Sequence, residues 1–233
     1  MVANPSIASV IATKSATVTT ALVFIENTAF TNGMVKALLH EYLGGVCDTT
    51  QYAIAASCVP VTQNSYISGL RYLYELSMPF LTNYVCARTY QCISGENCSA
   101  NTCTTYNTSY YQSRSNVFVD YGLGNTPSAV SNMTKTEGDT YTIIKWTPPS
   151  NAPVTYYEVQ LMQGSTIYAG WLYTLYSTSG GINVMNLKNG TTYRLYVRPI
   201  SDDGYIGNSN YIDFTPIEPP PSCTTPICSF SVI

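Results

Sequence analysis

Charge is scarce in this sequence. Of its 233 residues only 10% are Asp, Glu, Lys or Arg, against roughly 25% in an average soluble protein. The net charge is -3 and there is no basic run, which removes the electrostatic footprint of a nucleic-acid binder. Histidine is nearly absent: His40 stands alone, and no C-x-x-C pair exists to make up a zinc ligand set. His40-Glu41 begins like a zinc-protease helix, but position 44 is glycine where the second histidine would be needed. No P-loop, G-x-G-x-x-G or G-x-S-x-G motif occurs, so phosphate-cradling loops and nucleophile elbows have no candidate. No catalytic, cofactor-binding or metal-ligating residue is assigned, and no cofactor is expected. The opening stretch, residues 1–30, is mildly apolar but carries Lys14 and many Ser and Thr. It resembles neither a secretory signal nor a membrane span.

In place of charge the chain carries Ser, Thr, Asn, Gln and 21 Tyr, which hydrogen-bond whatever the pH. Such a surface suits an acidic external medium. Eight cysteines stand at 47, 58, 86, 92, 98, 103, 223 and 228. An even count without close pairs reads as a disulfide framework whose connectivity stays open; local pairing (Cys47 with Cys58, Cys86 with Cys92, Cys98 with Cys103, Cys223 with Cys228) is the simplest expectation. Disulfides without a signal segment are expected of a processed form, of release by lysis, or of a hyperthermophile.

The cysteines divide the chain into residues 1–125, a disulfide-stapled α+β domain; 126–217, a β-sandwich; and 218–233, a Pro-rich, disulfide-closed tail. In the first part MVKALLHEYL (34–43) and SYISGLRYLYELSMPFL (65–81) show helical spacing. TVTTALVFI (17–25) is ambiguous between strand and helix, and 86–116 reads as a pinned loop. The tail IEPPPSCTTPICSFSVI starts as a stiff polyproline segment. Its strand-like end could pair in cis or add to a neighbour's sheet.

From 126 onward period-2 alternation takes over in TYTIIKW (140–146), TYYEVQL (155–161), TIYAGWLYTLY (166–176), GINVMNL (181–187), TYRLYVRPI (192–200) and NYIDF (210–214). These are short strands separated by Pro, Gly and Asn, the pattern of a sandwich. Leu187, Gly190, Thr191 and Tyr193 have the spacing of a tyrosine corner, in which the hydroxyl turns back to backbone a few residues upstream. Trp146 ends the second strand and is followed by Pro148 and Pro149. With Gly204 in the last turn, this order of elements resembles a fibronectin type III domain over about 129–217. The resemblance implies a spacer or protein-binding module outside the cell, and it fixes no site.

Asn107 and Asn189 are the best-placed glycan acceptors among the N-x-[ST] sites. Tyr110, Tyr111 and Tyr205 are the tyrosines to test for ligand contact. Asp202 and Asp203 need no metal to explain them on a turn. Six carboxylates, Glu26, Glu41, Asp48, Glu75, Glu96 and Asp120, are all that the first 125 residues offer a hydrolase. The expected function is therefore that of a non-enzymatic structural protein of an extracellular assembly, above all a virion component such as a capsid decoration, spike or tail fibre of a thermophilic archaeal virus. The alternatives are a cellular filament or surface-layer subunit, and a secreted enzyme with an appended module. The expected partners are other structural proteins or copies of the chain, with a host-surface receptor or glycan as a further candidate, and without direct nucleic-acid binding or a membrane span.

Overall fold

A computed structural model describes residues 6–14, 18–26, 33–43, 46–47, 53–55, 59–61, 64–79, 82, 84–92, 111–119, 126–177 and 180–218. Among these residues there is no helix. The first part comprises β1 (Ser6–Lys14), β2 (Thr19–Glu26), β3 (Gly33–Leu43), β4 (Val46–Cys47), β5 (Ala53–Ala55), β6 (Val59–Val61), β7 (Arg71–Met78), β8 (Tyr84–Cys92) and β9 (Tyr111–Val119). The second comprises β10 (Ser131–Gly138), β11 (Tyr141–Thr147), β12 (Val154–Gln163), β13 (Thr166–Tyr176), β14 (Gly181–Val184), β15 (Tyr193–Ser201) and β16 (Asn210–Phe214).

The helices expected over 34–43 and 65–81 are strands, β3 and β7, and the α+β assignment of the first part is corrected to β. The reason is visible in β7, which is buried along one face and, at Leu73, on the other. Tyr72, Tyr74, Leu76 and Met78 point into one core, while Leu73 points into another. Leu73 on the second face interrupts the period-2 signal, and Leu70, Leu73, Tyr74 and Met78 are left with spacings that mimic a helix. Gly69, at φ 76°, takes a backbone conformation that ends any helix before Arg71. The loop expected over 86–116 is likewise replaced at both ends by strands, β8 and β9, which pair in register from Tyr84↔Asn116 to Thr89↔Tyr111; residues 93–110 lie outside the described residues.

β7, β2 and β1 form an antiparallel ladder, β9 joins β1 in parallel, and β8 and β3 continue the sheet. The sheet bends so that Ala37, Leu39, Val85 and Ala87 of β3 and β8 close over Ile7, Ala21, Val23, Ile25 and Tyr74.

The second part is a sandwich. A three-stranded sheet in the order β10-β11-β14 faces β16-β15-β12-β13. Ile144, Trp146, Tyr157, Val159, Leu161, Val184, Leu195, Val197 and Phe214 fill the space between them. Trp146 meets Tyr157 edge to face at 5.2 Å. Burial raises the pKa of the Tyr157 hydroxyl, and the indole N–H of Trp146 opposes the shift.

The two parts share one sheet. β13 pairs with β7 through Tyr173↔Tyr72 and Thr174↔Arg71, so the sandwich strands and the first-part strands make a continuous 13-stranded sheet. Two further contacts cross between the parts. Leu22, Phe24 and Leu73 pack against Tyr156 and Ile200, and the Ser9 and Tyr156 hydroxyls are 2.9 Å apart. Residues 64–70 close the sandwich along its β13–β14 side. Asn64 donates to the Tyr168 carbonyl at 3.0 Å, the Met185 N–H donates to the Tyr66 carbonyl at 2.7 Å, and Ile67 bridges Val184. Ile67 and Leu70 enter the sandwich core itself.

Candidate binding face of the sandwich

The tyrosine corner fixes one end of β15. Tyr193 is 4% exposed, and its hydroxyl accepts the Lys188 N–H at 3.0 Å. Leu187 is buried beneath it. Gly190 sits at φ 72°, a conformation that glycine adopts without steric cost, and donates its N–H to the Pro216 carbonyl at 2.9 Å. Tyr193 also stacks on Phe214 at 5.9 Å and meets Tyr168 edge-on at 5.9 Å. Tyr66 lies against Tyr168 at 4.7 Å. Burial, with its neighbours Tyr168 and Tyr193, raises the Tyr66 pKa.

Beyond the corner, alternation along β15 sends Leu195 and Val197 inward and Arg194, Tyr196 and Arg198 outward. On β16, Tyr211 stands opposite Tyr196 and Asp213 opposite Arg194. On β12, Glu158 stands opposite Arg198, and Trp171 of β13 completes the row. Arg194 grips Asp213 through two parallel bonds, Nε to Oδ1 at 2.6 Å and Nη2 to Oδ2 at 2.8 Å. Its guanidinium lies over the Tyr211 ring at 4.1 Å, and that of Arg198 lies over Trp171 at 4.3 Å. Tyr196 is in the middle, 5.4 Å from Tyr211 and 6.2 Å from Trp171.

Electrostatically the face is self-neutralised. Hydrogen bonds from Arg194 hold the Asp213 carboxyl below its ordinary pKa, and Asp213 raises that of Arg194. Arg198 bonds Glu158, which is 3% exposed. Burial nevertheless raises the Glu158 pKa, because desolvation exceeds the help from Arg198 and Glu75 adds repulsion. Both cations are already paired, so a free phosphate or sulfate would have to displace a carboxylate. What remains available is aromatic surface, with Tyr211 49% exposed. A cleft of about 370 Å³ lies beside it, lined by Met162, Gly164, Thr192, Tyr193, Arg194, Tyr196 and Asp213. The arrangement can stack and hydrogen-bond an uncharged, rigid ligand. It contains no nucleophile–base pair.

Nothing local in the sequence singles out this row. Its signal was present as Arg194, Tyr196 and Arg198 at every second position and Tyr211 with Asp213 on the next strand. Only the register shows that the two stripes are neighbours. The residues singled out instead lie elsewhere. Tyr205 is half-buried at the β15–β16 turn, its N–H donating to Ser201 Oγ at 3.0 Å. Tyr111 opens β9, and Tyr110 lies outside the described residues. Asp202 accepts from the Thr155 hydroxyl, and no metal-ligating cluster occurs among the described residues. Trp146 is core. Asn189 spends its amide on the β10–β11 turn, accepting from Thr140 N–H at 2.8 Å and donating to Asp139 at 2.7 Å. Asn107 lies outside the described residues.

Of the cysteines, Cys86 is buried in β8 and disulfide-bonded. Cys92 is on the same strand: Cys86 is opposite His40 and Cys92 opposite Met34. Six residues of strand span about 20 Å, against about 4–7 Å between the Cα atoms of a disulfide. The expected pairing of these two is therefore replaced by another partner for Cys86. Cys47 lies in β4, and Cys58, Cys98, Cys103, Cys223 and Cys228 lie outside the described residues. No helix among the described residues is long and apolar enough to cross a membrane.

A three-on-four sandwich with a tyrosine corner and a buried tryptophan is a β-sandwich of the architecture that immunoglobulin and fibronectin type III domains share. The family model of the fibronectin type III domain matches residues 127–215, and this part of the chain is a fibronectin type III domain. No curated protein matches the chain. Among solved structures, a similar one is the rat CD45 extracellular region, domains d3-d4, at 17% identity and TM-score 0.34, covering 45% of this chain and 55% of that one. The chicken CNTN1 FN1-FN3 domains are similar at 12% identity and TM-score 0.39, covering 93% and 68%. A structure described as a myokine is similar at 17% identity and TM-score 0.35, covering 40% and 99%. The chain thus spans about half the length of the CD45 fragment.

Proposed function

We propose that the chain is a non-enzymatic structural subunit of an extracellular assembly, and within that class a virion component, such as a capsid decoration, spike or tail fibre of a thermophilic archaeal virus. The observation that carries the structural reading is the continuous sheet. A fibronectin type III domain is usually a bead on a string, whereas this one is welded to the preceding strands through β13 and β7 and through residues 64–70. A rigid two-part block with a stacking face suits a building unit better than a tethered spacer. The scarcity of charge and a cysteine framework of which Cys86 is one bonded member support use outside the cell, in hot or acidic surroundings.

The test is fractionation of the native culture medium, followed by electron microscopy and peptide mass spectrometry of each fraction. The virion reading expects the chain in particles that contain nucleic acid. Recovery in naked filaments or layers would move it to a cellular filament or surface-layer subunit. Recovery only as free protein would sink the assembly reading.

A further inference from the structure

We infer that the Trp171–Tyr196–Tyr211 row is the docking site for the proline segment of a second copy of this chain, taking Pro219 and Pro221 of the neighbour's tail. The inference rests on the reading of the chain as an assembly subunit and names the contact that would join the copies. Three observations carry it.

The first is chemical. The face has two ion pairs that cancel each other and a row of rings, so its occupant is uncharged and gains by stacking. Residues 219–233 contain no charged side chain and begin Pro-Pro-Pro. Proline-rich segments dock in aromatic-lined grooves because their extended helix is pre-formed and loses little entropy on binding.

The second is metric. Neighbouring rings are 5.4 Å and 6.2 Å apart, and residues two apart on a polyproline helix are about 6.2 Å apart. Pro219 and Pro221 therefore match adjacent rings.

The third is direction. After β16 the chain turns to the opposite sheet: the Ile217 N–H donates to the carbonyl of Gly138, at the end of β10, at 3.2 Å. The last described residues thus lie toward the sheet opposite the aromatic row, and the row is taken by the tail of a neighbour.

The experiment uses the full chain in sedimentation velocity over a concentration series, with and without excess of the cysteine-free peptide 215–222, Thr-Pro-Ile-Glu-Pro-Pro-Pro-Ser. Concentration-dependent association is expected, reversed by the peptide. Tyr211→Ala, and separately the double change Pro219→Gly with Pro221→Gly, should each weaken it about tenfold or more, the loss of one anchor. Tyr211 is outside the cores described above, and circular dichroism verifies the fold of each variant. A chain that is monomeric throughout, or association untouched by the peptide, overturns the inference. Loss on Tyr211→Ala without loss in the proline variant gives the face to a different partner, such as a glycan, and also overturns it. Particles in the native medium combined with no peptide effect would remove this contact and leave the assembly reading standing. A peptide effect without particles would keep this contact and remove the virion reading.

Discussion

Phe24 of β2 and Tyr156 of β12 stack face to face, ring centroids 4.1 Å apart and planes 22° from parallel. Phe24 is fully buried and Tyr156 nearly so, and Leu22, Leu73 and Ile200 surround them. The pair lies between the first part and the fibronectin type III domain. Together with the β13–β7 pairing it makes the two parts one cooperative body.

Phe24→Ala should therefore cost about 3–5 kcal/mol and weaken both parts together. Urea unfolding followed by tryptophan fluorescence, whose reporters Trp146 and Trp171 are both in the sandwich, and by far-ultraviolet circular dichroism, which sees both parts, checks this. Coincident transitions that shift together are expected. Two separate transitions, with only the circular dichroism one moved, would show that the parts fold independently. Tyr156→Phe keeps the stack and loses only the hydroxyl contact with Ser9, and should cost about 1 kcal/mol.

Ile67 lies outside the family span yet is 1% exposed within the sandwich core. Ile67→Ala is expected to cost about 2–4 kcal/mol. A fragment limited to 127–215 would lack Ile67, Leu70 and the hydrogen bonds that residues 64–66 make to β13 and to the segment after β14. It should melt below the whole chain. Equal melting temperatures in differential scanning calorimetry would show that residues 64–70 merely rest on the sandwich.

Tyr193 shows which parts of this architecture were legible in the sequence. The corner, the tryptophan and the alternation from 126 onward are local patterns, each readable within a few residues, and they correspond to β10–β16. The first part was misread because Leu73 interrupts the alternation along β7, and because β7 is held as a strand by partners distant in sequence, β2 along one edge and β13 along the other. No window of the sequence contains that information. The binding face was hidden for a related reason: Arg194 and Asp213 are nineteen positions apart and become partners only through the β15–β16 register. For the corner itself, Tyr193→Phe leaves the part-buried Lys188 N–H without its acceptor and should cost about 1 kcal/mol. Chemical denaturation of the single variant measures it, and a change within error would remove the corner from the list of stabilising contacts.

The carboxylates give the sandwich a pH dependence with two opposed parts. Asp213 and Glu137 have folded-state pKa values lowered by their partners, Arg194 for the one and Lys135 with the Thr215 N–H for the other. The stability they contribute is present above their unfolded-state values and is lost as pH falls through the folded ones. Glu158 runs the other way. Its folded pKa is raised by burial, so its contribution is full below the unfolded value and declines as pH rises through the folded one. Asp213→Asn should thus flatten the acid limb of a stability–pH curve. Glu158→Gln should leave stability near neutral pH unchanged or slightly higher, since the neutral group avoids the desolvation cost. Arg198→Met, by contrast, strands the carboxylate and should cost about 2 kcal/mol or more at neutral pH, recovering as Glu158 protonates in acid. Thermal melts of the three variants from acid to neutral pH test the set. An Arg198→Met deficit that is constant across the range would mean that Glu158 is not the group responsible, and that the loss comes from the packing of Arg198 on Trp171.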